Sequence, residues 1–477
     1  MQRNMKGQTS ARTVNYGDRL VHPATWISEP SQSRKDFLAS LFKELDTSQI
    51  RYCVLHSWED LPEKLSSDLD IAVYPEDVRK LPLVLRFLRD KGYTPIQMFS
   101  YAVGAYYFVF YWIERRTLRS AAVDVSFEHR RGGLIVASGQ TLVAGRQRRD
   151  IFWISDPETE FTYLLAKKAC KGVASAPQAS RLKFLVKQLG RPTAERLAGE
   201  LFLGNLRERV IEACASGRLD ALLPQIRNQT WKTSFVQNPL RLTAYLLSDA
   251  LRRVRRFLQP TGLFIVVMGP DGVGKSTLIE HLVQAVSPAF RRYRVFHWRP
   301  MLLWRRKVAG DTTQPHSHPP YTGWWSTARL FAHLLDYWLG YLLLIRPLLA
   351  RSCLVVFDRY FHDLLADPKR YRYGGPLWLA RSVGWLVPKP DLLFVLDAPE
   401  QVILSRKQEV LPQEVLSQRR LYLQFASSFC HSRVIDSTAP LARVVEEAGG
   451  AVCEYLAQRF EHRNAPWLDL GPSGSPK

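Results

Sequence analysis

One stretch constrains this chain more than any other. Leu263 to Ser276 reads LFIVVMGPDGVGKS, six apolar residues running directly into G-x-x-x-x-G-K-[ST], with an amphipathic STLIEHLVQAV continuing from Ser276. A buried strand, a glycine-rich turn and a helix in that order form a cradle for phosphates. Glycines let consecutive backbone N–H groups turn inward, and the helix start adds the positive end of its dipole. Gly269, Asp271, Gly272, Val273, Gly274, Lys275, Ser276 and Thr277 are therefore the expected nucleotide-binding residues. Lys275 reaches the β and γ phosphates, and the Ser276 hydroxyl is a ligand for Mg²⁺.

From Thr261 onward strands alternate with helices, the pattern of a parallel sheet with helices on both faces. CLVVFDRY, Cys353 to Tyr360, is an apolar strand ending at Asp358, where a phosphoryl-transfer enzyme needs a second carboxylate beside Mg²⁺. Arg359 follows at the strand's carboxyl end, where ligands of open α/β sheets collect. PDLLFVLDAPEQVILSRKQEV then gives another strand, Asp397, and a helix leading to Arg406 and Lys407.

With these residues in place, about Leu263 to Arg459 resembles the thymidylate kinase branch of the P-loop nucleoside monophosphate kinases. The resemblance implies ATP held by Gly269 to Thr277, Mg²⁺ near Ser276 and Asp358, and an acceptor phosphate near Arg359. It makes Lys275, Asp358, Arg359 and Arg406 the catalytic set, with Arg406 and Arg419 or Arg420 closing from a lid to neutralise transition-state charge. Two departures bear on the acceptor. The family's R-E-P-G-G pattern is FHWRP here, keeping Arg299 and Pro300, and the position that often carries a base-reading arginine falls on Tyr337. Arg299, Arg359 and Tyr337 are thus the expected acceptor contacts, and a tyrosine in place of a rigid guanidinium fork predicts an acceptor other than thymidylate.

Far upstream, KLSSDLDIAV (Lys64 to Val73) places Asp68 and Asp70 on one side of a strand, since side chains two apart share a face. Like charges so placed repel unless a cation lies between them. SAAVDVSFEH offers Asp124 from a later strand. The order of these acids after LHS, with His56 and Ser57, resembles the nucleotidyltransferase superfamily over about Phe37 to Lys187. That implies a second site of Ser57, Asp68, Asp70 and Asp124, with Mg²⁺ on Asp68 and Asp70, although His56-Ser57 stands where the superfamily has Gly-Ser or Gly-Gly.

The expected fold is α/β: a C-terminal P-loop kinase with a parallel sheet and helices on both faces, after an α+β nucleotidyltransferase-like domain with a helical extension. A length of 477 residues predicts more than one domain. The expected divisions are a disordered tail 1–32, the nucleotidyltransferase-like domain 33–190, a helical linker 191–260, the kinase domain 261–463 and a tail 464–477. Six scattered cysteines without paired spacing read as reduced and structural in a cytoplasmic protein. The apolar segment Leu330 to Ala350 carries His333, Asp336 and Arg346, so a buried helix is expected there. His297, His316 and His318 are read as loop residues without a metal.

A formal charge of +22 draws the chain to anions. The segment ending in Arg252, Arg253, Arg255 and Arg256 reads first as a linker helix with a solvated basic face, with contact to the inner face of an anionic membrane as the alternative. ATP and Mg²⁺ are the expected cofactors and a small molecule the expected acceptor. Nucleic acid is not an expected partner, and a homodimer stays open. Nucleotidyl transfer by the N-terminal domain and a non-catalytic ATP-dependent switch remain alternatives to kinase chemistry.

Overall fold

The structure, a computed structural model, describes residues 19–20, 32–56, 58–65, 68–131, 134–202, 206–228, 239–302, 319–321, 323–406 and 412–469. The chain forms two compact units, divided at Gly262 and again between Ala448 and Gly449. In the unit containing Gly262–Ala448, five strands lie parallel in the spatial order Arg292–His297, Cys353–Asp358, Leu263–Met268, Leu392–Asp397, Ser432–Asp436. Arg19–Leu20 adds a short antiparallel edge against Arg292 and Tyr293. The two central apolar runs are buried along their whole length, as strands covered on both faces must be. Register sets His297 beside Asp358 and Asp397 beside Asp436, so the acids gather at the carboxyl ends of the strands.

The other unit is built on a seven-stranded mixed sheet. Its order is Thr94–Ala102, Ala105–Glu114, Thr117–Ser126, Leu69–Val73, Tyr52–Val54, Phe152–Ile154, Gln147–Arg149. Gln32–Thr47 and Leu81–Asp90 pack on it through Phe37, Leu41, Phe42, Leu85 and Leu88. A helical bundle follows, starting at Pro157–Lys171, where the Asp156 carboxylate caps the N–H groups of Glu158 and Thr159 at 3.0 Å each. The boundary expected after residue 190 cuts through this bundle. Leu182 and Leu185 share one core with Leu165, Ala198 and Val210, because neither half buries its apolar faces alone.

Three further expectations change. The tail expected from residue 464 is helical to Leu468, within Leu441–Leu468. Phe460 and Trp467 on that helix complete the core of the mixed sheet, and the Trp467 ring stacks on Phe108 at 6.2 Å. The tail expected over 1–32 lies mostly outside the described residues, and Gln32 already begins a helix.

The apolar segment at 330–350 belongs to a helical run over Gly323–Ala350, long and apolar enough to cross a membrane by length and composition. It is buried on one face only. His333, Asp336, Tyr337 and Gly340 face inward while Phe331, Leu335, Trp338 and Leu343 face out, an arrangement that hydropathy alone does not order.

The helix Pro239–Leu258 is likewise turned: Asp249 is buried and pairs with Arg252, whose guanidinium also donates to the Ser100 carbonyl at 3.1 Å. Most of its leucines are exposed while Leu242 is buried, and of the basic cluster Arg253 and Arg255 stay exposed while Arg252 is tied inward. All six cysteines are free. If the last helix is structural, Trp467→Ala lowers stability by about 2 kcal/mol, less than the cost of truncating a fully buried aromatic because Trp467 is only half-buried, read as a shift of the urea midpoint for the mixed-sheet unit.

Candidate functional site

The phosphate loop closes on itself through its lysine. Gly269, Gly272 and Gly274 have φ of 145°, 85° and 104°, a region that side chains other than glycine seldom enter. At Gly269 a Cβ would also meet the Leu396 carbonyl oxygen at 2.7 Å. Lys275 opens the helix Lys275–Val286, and its ammonium donates to the carbonyls of Gly269 at 2.7 Å and Pro270 at 2.8 Å. Burial, and then the neighbouring Arg359, lower its pKa from the ordinary lysine value. Ser276 and Thr277 are exposed at the same helix start, and Val273 is buried beneath the loop.

The Ser276 hydroxyl lies 3.5 Å from Oδ2 of Asp358, whose Oδ1 is buried without a hydrogen-bond partner among the described residues. A hydroxyl beside an unsatisfied carboxylate oxygen is a donor set that fits Mg²⁺. Burial pushes the Asp358 carboxyl up, but the hydrogen bond with His297 and the charge of Lys275 outweigh it and hold the group below its ordinary value. Arg406 ends the helix Glu400–Arg406, with its guanidinium 3.2 Å from the Ser437 carbonyl and 3.5 Å from that of Val273. Arg419 is engaged elsewhere, in a two-pronged pair with Asp397 at 2.6 and 2.8 Å.

Arg359 stands at the end of its strand with φ 73°, a left-handed conformation uncommon for a residue with a side chain. Its guanidinium donates to Asp363 at 2.8 Å and to Asp271, and Arg370 donates to the other oxygen of Asp271. Asp363 is fully buried and also accepts from the hydroxyls of Tyr371 at 2.7 Å and Tyr422 at 2.5 Å. Burial raises the Asp271 carboxyl, yet Lys275, Arg359 and Arg370 overcome it and keep the group well below the carboxylate range. The sequence reading did not single out Asp363, Arg370, Tyr371 or Tyr422. The basic and aromatic run KRYRY at 369–373 signals Arg370 and Tyr371, and nothing local signals Asp363 or Tyr422.

Arg299 belongs to the same neighbourhood. The loop 298–302 is seated on Gly323–Gly340 by Asp336, which accepts from the backbone N–H of Met301 at 3.2 Å and Leu302 at 2.9 Å and lies 3.5 Å from Arg299. Gly340 allows this seating, because a Cβ there would fall 2.4 Å from Cβ of Pro300. Trp298 stacks on Tyr371 at 4.3 Å and meets His333 edge-on at 5.0 Å. Tyr337 is a core residue whose hydroxyl donates to the Trp298 carbonyl, with its ring packed against Tyr360 and Phe361. It supports the 298–302 loop. His316 and His318 lie outside the described residues.

The second constellation stands in the mixed-sheet unit. Asp70 and Asp124 are register partners on parallel strands, with Asp68 just before the first of them. Asp70 lies 3.2 Å from Nε2 of His56, while Asp124 accepts from the Tyr101 hydroxyl at 2.9 and 2.8 Å. Lys167 lies 3.5 Å from His56 and donates to the Tyr163 hydroxyl at 2.8 Å. Burial, and then Asp70, drive the Asp124 carboxyl well up. Ser57 lies outside the described residues. Among the described residues no group of three or more His, Cys, Asp and Glu side chains is arranged to hold a metal. The expected aspartate site is therefore brought together as an Asp70–Asp124 pair inside a basic and aromatic setting.

Two outcomes test these assignments. Gly269→Ala abolishes ATP binding by equilibrium dialysis, because both the backbone angle and the Leu396 carbonyl oppose a side chain. Burial and Arg299 hold His333 down to about 3. The unfolded chain protonates this residue near its ordinary value of about 6.5, so its share of stability is present above that pH and is lost as pH falls toward 3. His333→Gln accordingly shows a shallower acid limb than the parent protein in thermal melts between those values.

No family model matches the chain. Over 211 residues it is 30% identical to a thymidylate kinase of Xanthomonas campestris pv. campestris (strain B100), covering 43% of this chain and 88% of that one. It is 28% identical over 216 residues to a thymidylate kinase of Xanthomonas oryzae pv. oryzae (strain PXO99A), covering 44% and 91%. Against a thymidylate kinase of Xylella fastidiosa (strain M12) the identity is 28% over 215 residues, covering 42% and 91%.

Proposed function

The chain belongs to the thymidylate kinase family through the 43% of its length that aligns, and from that premise we propose that this unit transfers the γ-phosphoryl group of ATP to a small acceptor. The acceptor is a nucleoside monophosphate or a molecule of like size and charge, other than thymidylate. The observation that carries the reading is the convergence of Lys275, Arg359 and Arg370 on Asp271. Three cations from the phosphate loop, a strand end and the segment after it meet on one carboxylate, where phosphates compete for the same donors. As charge spreads over the transferring group, these cations neutralise it from fixed positions, which is where most of the barrier reduction in phosphoryl transfer arises. Held by Ser276 and Asp358, Mg²⁺ supplies further charge neutralisation on the phosphates.

The acceptor side rests on Trp298, Tyr371, Arg299 and His333. Flat aromatic faces suit a ring, and the buried nitrogens of Trp298, Arg299 and His333 that lack hydrogen bonds among the described residues suit its polar edge.

A second reading, nucleotidyl transfer in the other unit, is favoured by the pairing of Asp70 with Asp124 beside Lys167. One experiment separates the two. The full chain is incubated with Mg²⁺, a small-molecule and lipid extract, and ATP labelled on either its α or its γ phosphate. Kinase chemistry gives a γ-labelled product whose formation falls at least about 100-fold in Lys275→Ala, and transfer that survives this substitution refutes it. An α-labelled product lost in Asp70→Asn supports the second reading, and free phosphate alone supports a switch. Within the kinase reading, Arg299→Gln raises the acceptor KM about tenfold, the worth of one charge-assisted hydrogen bond, and leaves the KM for ATP in place.

A further inference from the structure

The mixed-sheet unit contains a cavity of about 900 Å³ that neither the phosphate loop nor the Asp70–Asp124 pair uses. It lies between the edge strand Thr94–Ala102, the helix Pro239–Leu258 and the end of Leu441–Leu468. Its polar lining is dominated by Arg252, Arg255, Arg256, Arg459 and Arg463, and no carboxylate lines it among the described residues. Its apolar lining includes Ile96, Met98, Tyr106, Leu251 and Trp467. Arg459 and Arg463 are oriented toward the cavity by the carbonyls of Thr261 at 3.0 Å and Pro260 at 2.8 Å. Five arginines, of which Arg252 is also paired with Asp249, stand in one lining that includes no carboxylate among the described residues, and that excess of positive charge beside apolar side chains suits an anion with an apolar body.

The helix beside it gives an independent observation. Leu240, Leu247, Leu251, Val254 and Leu258 fall on one face, spaced as i, i+7, i+11, i+14 and i+18, and are 84%, 63%, 62%, 56% and 65% exposed. On the opposite face Asp249 is buried and Leu242 is 4% exposed. A helix packed only for a soluble unit does the reverse, turning its leucines inward and its charges out. The stripe and the cavity share Leu251, which lies on both. An anion-binding cavity bordered by an exposed apolar stripe matches a molecule that carries a phosphate next to hydrocarbon.

We propose that this cavity and the outward face of Pro239–Leu258 together bind the phosphate headgroup of an anionic lipid at a bilayer surface. The phosphate enters among Arg252, Arg255, Arg256, Arg459 and Arg463, while Leu240, Leu247, Leu251, Val254 and Leu258 enter the boundary between headgroups and acyl chains. The site is separate from the kinase residues and does not depend on the kinase reading.

Flotation of the full chain with vesicles of phosphatidylcholine, with or without phosphatidic acid, tests it. The expected result is capture by the phosphatidic acid vesicles alone, weakened by added salt because the attraction is electrostatic. Arg255→Gln and Leu247→Asn alter exposed side chains, and each lowers the partition coefficient about fivefold while the far-ultraviolet circular dichroism stays unchanged. Four results overturn the proposal: no capture, equal capture by phosphatidylcholine, indifference to both substitutions, or full displacement by glycerol phosphate, which would make the cavity a site for soluble phosphate esters. Self-association lost in Leu247→Asn, without vesicle binding, would assign the stripe to a second copy of the chain and overturn it too.

Discussion

The catalytic unit depends on two buried carboxylates. Lys275 and Arg359 are 7% and 6% exposed, and an uncompensated cation at such a depth is strongly destabilising. Asp271 and Asp363 make that depth tolerable. Asp271 accepts from Arg359 and Arg370 and lies 3.5 Å from Lys275, while Asp363 takes Arg359 together with two tyrosine hydroxyls. Through these contacts the phosphate loop, the end of Cys353–Asp358, the segment at 363–371 and the helix Pro412–Ser428 are fixed to one another. The left-handed backbone of Arg359 is held because its side chain is bound on both sides.

The same network explains what could be read in advance. The phosphate loop, Asp358 and Arg359 are local patterns in which the motif and its structural context are contiguous in sequence. Asp363, Arg370, Tyr371 and Tyr422 acquire their roles from partners up to 99 positions away, which no local pattern encodes. Period-two reasoning put Asp68 and Asp70 on one side of a strand, whereas in the fold it is Asp70 and Asp124 that are register partners. The sequence named His56 beside these acids but not Tyr101, which enters from the sheet-edge strand Thr94–Ala102. Gapless counting put Tyr337 at an acceptor position, whereas the fold makes it a support for Trp298.

Helix faces were legible as periodic stripes, but a stripe does not say which side meets the protein. In Gly323–Gly340 the inward face carries His333 and Asp336, because the 298–302 loop needs a carboxylate for its free N–H groups. In Pro239–Leu258 the inward Asp249 anchors Arg252, which in turn satisfies the Ser100 carbonyl. In both helices the inward carboxylate, Asp336 or Asp249, is held by specific hydrogen bonds, and large apolar side chains are left at the surface. The rule that apolar faces turn inward is set aside where a backbone loop or an edge strand has polar groups to satisfy.

The mixed sheet is finished by Phe460 and Trp467, which the chain reaches only after passing through the whole of Gly262–Ala448. During synthesis the sheet's strands therefore emerge first and wait, one apolar face incomplete, while some two hundred further residues are added. At ordinary ribosomal speeds that interval is roughly 10 to 40 s. The N-terminal unit is thus the first begun and the last completed, and its closure reports that the catalytic unit has been made.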